Sequence, residues 1–146
     1  MLTMNQRGAS VLAKPRGVRR GASAVEFAIV APIFFMVVLG IIEFGRMAMV
    51  QQIITNAARE GARVGILDNS TQATVNAKVQ QYLTAASLSS AKVKVVPDPP
   101  SSAGFDQPVT VTVSIPFDDV SWLPAPFFIK KTVLSAEAVM RRETVE

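Results

Sequence analysis

The feature that most limits what this chain can become is an uninterrupted apolar run near its start. Residues 27–42 (FAIVAPIFFMVVLGII) carry no charge. Counted from Ala22, 24 residues precede Arg46 with only Glu26 and Glu43 as interruptions. As a helix rising about 1.5 Å per residue, this segment spans roughly 36 Å, enough for the ~30 Å hydrocarbon core of a bilayer. The wider composition agrees: mean hydropathy is +0.32 and only 18% of residues are charged. A stretch of this chain is therefore expected to lie out of water, which leaves a small globular part.

Charge is distributed unevenly around that run. Residues 1–21 hold Arg7, Lys14, Arg16, Arg19 and Arg20 and no acid, so the formal charge of +4 comes from this leader. The remaining residues hold ten basic and eleven acidic side chains, which excludes a basic surface built for phosphate and hence a nucleic-acid partner. Positive residues ahead of an apolar helix instead favour a cytoplasmic N-terminus and an exported C-terminal part. With Pro15 and Gly8, Gly17 and Gly21 among its charges, the leader is expected to be irregular. The chain has no cysteine and no histidine, which removes thiol and imidazole chemistry together with most metal sites. Asp118 and Asp119 are adjacent and read as turn residues, not as an acid/base pair. The chain is read as not an enzyme, with no catalytic residues, cofactor or metal.

Along the chain, one long helix is expected over residues 22–65, transmembrane over about 24–45. Pro32 lies inside it and predicts a kink near Ala28. Val50, Ile53, Ile54, Ala57, Gly61 and Val64 recur at spacings of three and four. Ala57, Gly61 and Gly65 form a small-residue stripe that either admits a close neighbour or marks where the helix ends. After LDNSTQ, Ser70 or Thr71 can cap a second helix with Val75, Val79, Tyr82, Leu83 and Ala86 on its buried face. KVKVV (92–96) is a first strand, and the proline-rich segment 97–108 is read as irregular. Val109, Val111, Val113 and Ile115 alternate with Thr110, Thr112 and Ser114, a strand with one buried face. A third strand over residues 132–140 places Leu134, Ala136, Ala138 and Met140 together. Between these strands, Trp122, Leu123, Phe127, Phe128 and Ile129 beside Lys130 and Lys131 either meet a membrane interface or partner, or fold over the sheet. The expected fold is α+β: a long N-terminal transmembrane helix continuing into a small domain, residues 66–146, with a second helix on a three-stranded antiparallel sheet.

The junction RRGASAVEF, residues 19–27, sets small residues before the apolar run, whereas a secretory signal places its cleavage site after it. Gly21, followed five residues later by Glu26 and then Phe27 at the head of an apolar helix, resembles the processing site of type IV prepilins. More specifically, residues 25–65 (VEFAIVAPIFFMVVLGIIEFGRMAMVQQIITNAAREGARVG) resemble the N-terminal region of TadE-like proteins, minor pseudopilins of tight-adherence (Flp-type) pilus systems. The C-terminal LSAEAVMRRE resembles that family's last strand. The resemblance implies cleavage between Gly21 and Ala22 by an aspartyl prepilin peptidase, with Glu26 and Phe27 serving recognition and assembly register. It also implies a pilin-like domain whose partners are other pilin or pseudopilin subunits, the inner-membrane pilus assembly platform and the lipid bilayer.

Two acids in the helix invite separate readings. Glu26 either pairs with a new α-amino group at Ala22, setting register between helices, or lies in the headgroup zone near the helix N-terminus. Glu43 either pairs with Arg46 at i+3, reaches the aqueous interface, or, with Arg46, contacts another subunit. Arg59, Glu60 and Arg63 read as a solvated face. The alternative to a processed pilin-like subunit is an uncleaved, signal-anchored periplasmic adaptor or sensor.

Overall fold

A computed structural model describes residues 17–122 and 131–143, with side chains described from residue 21 onward. Helix α1 covers Gly17–Gly65 and α2 covers Gln72–Ala85; strands β1, β2 and β3 cover Lys92–Val96, Pro108–Pro116 and Val133–Arg141. The class is α+β, as the pattern of periods required. The sheet is an antiparallel meander in the order β1-β2-β3. Val93 faces Val113 and Val95 faces Val111 across one ladder; Ile115 faces Leu134 and Val113 faces Ala136 across the other. Two compact units divide between Val38 and Leu39.

Helix α1 starts five residues before Ala22, so the end of the leader is helical, not irregular. Gly17 and Gly21 lower helix propensity, but the apolar helix behind them is already nucleated, and extending it adds a hydrogen bond per residue. Residues 1–16 of the leader lie outside the described residues. The helix assignment runs through Pro32.

In the C-terminal unit the centre of the core comes from α1, α2 and β2, with Val95 of β1, Phe117 and Leu134, Ala136 and Ala138 of β3 packed around it. Val50, Ile54, Ala57, Ala58 and Ala62 come from α1, Val75, Val79 and Leu83 from α2, and Val109, Val111, Val113 and Ile115 from the central strand, all fully buried. The small-residue stripe is a close approach. A Cβ added at Gly61 would lie 2.6 Å from Val79 Cγ2 and 3.0 Å from Val111 Cγ1; one at Gly65 would lie 2.9 Å from Val109 Cγ1. Hydrogen in place of a side chain lets α2 and β2 reach the helix backbone. The helix also ends at Gly65, so the two readings of that glycine coincide.

The two polar residues of the inter-helix turn divide the capping. Ser70 Oγ donates to the Gly65 carbonyl at 2.6 Å, closing the end of α1. Thr71 Oγ1 accepts from the Thr74 amide at 3.2 Å, while Thr74 Oγ1 accepts from the Thr71 amide at 3.0 Å, opening α2 with a reciprocal capping box. On α2, Val75, Val79 and Leu83 are buried as the spacing requires. Tyr82 is exposed, contrary to its expected place on that face: it flanks the apolar stripe, and its hydroxyl favours the wet edge. The proline-rich segment also holds one short 3-10 turn, Pro100–Ser102, where the segment was expected to be irregular; a proline at its first position supplies a preset φ.

Candidate processing and anchoring site

In the N-terminal unit, Gly21, Ala22, Glu26 and Phe27 all lie on α1 and are exposed. Nothing stands within 4 Å of a Cβ built at Gly21. Ala22 and Glu26 are four residues apart and so share a side of the helix. Glu26 makes no ion pair among the described residues. Downstream, large apolar side chains are exposed around the helix, from Phe27 at 71% through Ile33, Phe34, Phe35 and Val37 to Ile41 at 67%. A segment that is apolar all round and uncovered by protein suits lipid, not water.

Glu43 and Arg46, in the C-terminal unit, do not pair with each other among the described residues. Glu43 is 3% exposed. Its Oε1 accepts from Ser121 Oγ at 3.4 Å, and its Oε2 is buried without a hydrogen-bond partner. Arg46 Nε donates to the Val120 carbonyl at 3.1 Å, and its guanidinium carbon lies 5.2 Å from the Trp122 ring centroid. The 3-10 turn Phe117–Asp119 positions these partners: Val120 and Ser121 amides both donate to the Phe117 carbonyl, and Phe117 is fully buried. Asp118 and Asp119 lie in that turn. Leu123, Phe127, Phe128, Ile129 and Lys130 fall outside the described residues, so of the aromatic segment only Trp122 is placed, exposed at 69%.

Sequence reasoning missed a second buried charged residue, Arg142. It is 8% exposed and donates to the Ser101 and Ala103 carbonyls (2.6 and 3.1 Å) and to Asp68 Oδ1 (3.0 Å). The alternation of β3 contained the signal, because Arg142 continues the inward parity of Ala138 and Met140 whereas Arg141 points outward to Asp106. The charged face of α1 is solvated and locally paired. Arg63 donates to both Glu60 oxygens (3.0 and 2.8 Å), and Lys78 approaches Glu60 at 4.0 Å. This part of α1 packs on β2 and α2, beyond the apolar run. The hydrogen bonds from Arg63 hold the Glu60 carboxyl below its ordinary range, and Arg63 is raised in return. Tyr82 joins these side chains around a wide, open 520 Å³ groove. Among the described residues no cluster of three metal-ligating side chains occurs.

These features define a membrane-anchored α+β protein: one helix long and apolar enough to cross a membrane, near the N-terminus, with a three-stranded meander in the C-terminal unit. Over residues 21–63 the chain matches the family described as TadE-like protein. No curated protein and no solved structure matches the chain.

Proposed function

We propose that this protein is a pseudopilin-like structural or assembly subunit of a tight-adherence (Flp/Tad, type IV-like) pilus, processed by prepilin peptidase after Gly21. The observation that carries the reading is the position of Gly21, Glu26 and Phe27 at the head of an uncovered apolar helix, inside the segment that matches the TadE-like family. The basic leader keeps the N-terminus in the cytoplasm, the helix crosses the inner membrane, and the C-terminal domain is exported. Cleavage removes all of the positive excess and creates an α-amino group at Ala22, one helical turn from Glu26. An unpaired carboxylate at the head of an apolar helix is costly, so this amine, from the same or a neighbouring chain, neutralises it and fixes the stagger of packed helices. Pro32 kinks the helix near Ala28. The catalytic carboxylates belong to the peptidase; this chain is its substrate, and other pilin-like subunits and the assembly platform are its partners.

Intact-mass analysis of the protein from its native membrane tests the assignment. A mature chain beginning at Ala22, and its loss in Gly21→Ala, is expected; a chain that keeps its leader beside an active peptidase overturns it. Glu26→Ala should still be cut but fail to assemble. One observation favours the uncleaved, signal-anchored adaptor: α1 runs unbroken across the Gly21–Ala22 bond, which a peptidase must unwind to reach. The same mass measurement separates the two.

A further inference from the structure

Glu43 is the last acid of the apolar run and Arg46 the first cation after it, so the helix passes from an apolar to a mixed surface within about 4.5 Å of rise. At this level the chain does two things with distant residues. It withdraws the Glu43 carboxylate from the helix surface, burying it against Ser121. It also holds an indole outward: Arg46 is bound to the Val120 carbonyl and lies against the ring of Trp122, which remains 69% exposed. Exposed Phe44 and Met49 flank the same turns. Seen from outside, the helix exit therefore presents aromatic and apolar groups with one cation, while its acid is hidden. An exposed indole gains nothing from water, and an ionised carboxylate against lipid is costly; the arrangement avoids both problems if this level coincides with a bilayer surface.

We infer that Trp122 and Arg46 form an interfacial collar on the bilayer that α1 crosses. The indole sits at the boundary between headgroups and acyl chains, and the guanidinium reaches headgroup phosphate while keeping its contact with the ring. The occupant is lipid because the collar lies within one turn of the end of the uncovered apolar run, where a cation and an aromatic amphiphile match the chemistry of the interface. The collar fixes the depth at which α1 leaves the membrane. It rests on membrane anchoring by α1 and not on the pilus assignment.

Trp122 is the single tryptophan of the chain, so its fluorescence reports this site alone. The full-length protein is reconstituted in phosphatidylcholine/phosphatidylglycerol vesicles and confirmed as carbonate-resistant. Lipids brominated near the acyl carbonyl should quench the emission at least about twofold more than lipids brominated near the chain ends, as expected for a group buried ~5–10 Å at the headgroup boundary. Acrylamide should quench weakly, and Arg46→Ala should shift the balance toward acrylamide while Arg46→Lys shifts it less. Strong acrylamide quenching with none by lipid in the unaltered protein overturns the inference. Protection from both quenchers also overturns it, since a protein neighbour would then cover the ring. An uncut or non-assembling chain would still show lipid quenching, so failure of the pilus reading and failure of the collar are distinguishable.

Discussion

Residues 25–42 and 50–65 belong to one helix, yet they obey different rules. The first stretch is built of Phe, Ile, Val and Met, exposed around the helix. The second is built of small residues on one buried side: Ala57, Ala58, Gly61, Ala62 and Gly65. Lipid accepts large side chains in any direction, so the first stretch needs hydrophobicity and no particular shape. The second meets a sheet and another helix, where shape decides and hydrophobicity is supplied by the valines opposite. Helix propensity is a poor guide to either stretch; the surrounding medium selects the residues.

The largest effect comes from charging the first stretch. Replacing Ile33 and Val37 together by Lys should cost about 6 kcal/mol of insertion free energy and move the protein out of the carbonate-resistant fraction. Retention in the membrane would mean that protein, not lipid, covers this segment. The second stretch should break by volume, not by charge. Gly61→Val places branched carbons on Val79 and Val111 and should destabilise the domain by about 3 kcal/mol, read by thermal unfolding. Adding Val79→Ala should recover part of that loss; additivity of the two would refute the close-approach argument.

The contrast also shows what the sequence could disclose. Hydrophobic run length and alternation identify which residues need a partner other than water, and this sufficed for the apolar run of α1, for β2 and for the buried line Val75, Val79, Leu83. They do not identify the neighbour. Glu43 finds Ser121 78 positions away and Arg142 finds Asp68 74 positions away, through loops whose paths no periodicity encodes. Gly61 was ambiguous for the same reason: a small residue signals proximity only once its neighbour is known. The proposed processing segment, Gly21 to Phe27, is linear, so its grouping on one helix can be read from the sequence; the contact of Arg46 with Val120 and Trp122 is built by tertiary structure and cannot.

Smaller effects sharpen the distinction between packed and capped positions. Arg142→Met should cost about 2–3 kcal/mol, since two carbonyls lose a charged donor in a site with little water. Thr71→Ala should cost ~1 kcal/mol by removing the cap of α2; an unchanged melting temperature would show that packing of Val75 and Val79 alone starts the helix. The smallest effect is at Glu60. Its carboxyl is depressed in the folded state, so its contribution is present above the unfolded value and is lost as pH falls through the folded value. Glu60→Gln should slightly flatten the acid limb of the stability curve, and a steeper limb would contradict the pairing with Arg63.

Arg142 has one more consequence. A single guanidinium ties the turn after α1 to the segment between β1 and β2, a task that small exported domains often give to a disulfide. This chain has no cysteine, and a guanidinium fastening involves no thiol. The fastening is therefore indifferent to redox potential: it closes equally well in a reducing or an oxidising compartment, and the domain need not wait for an oxidant or an isomerase before it is complete.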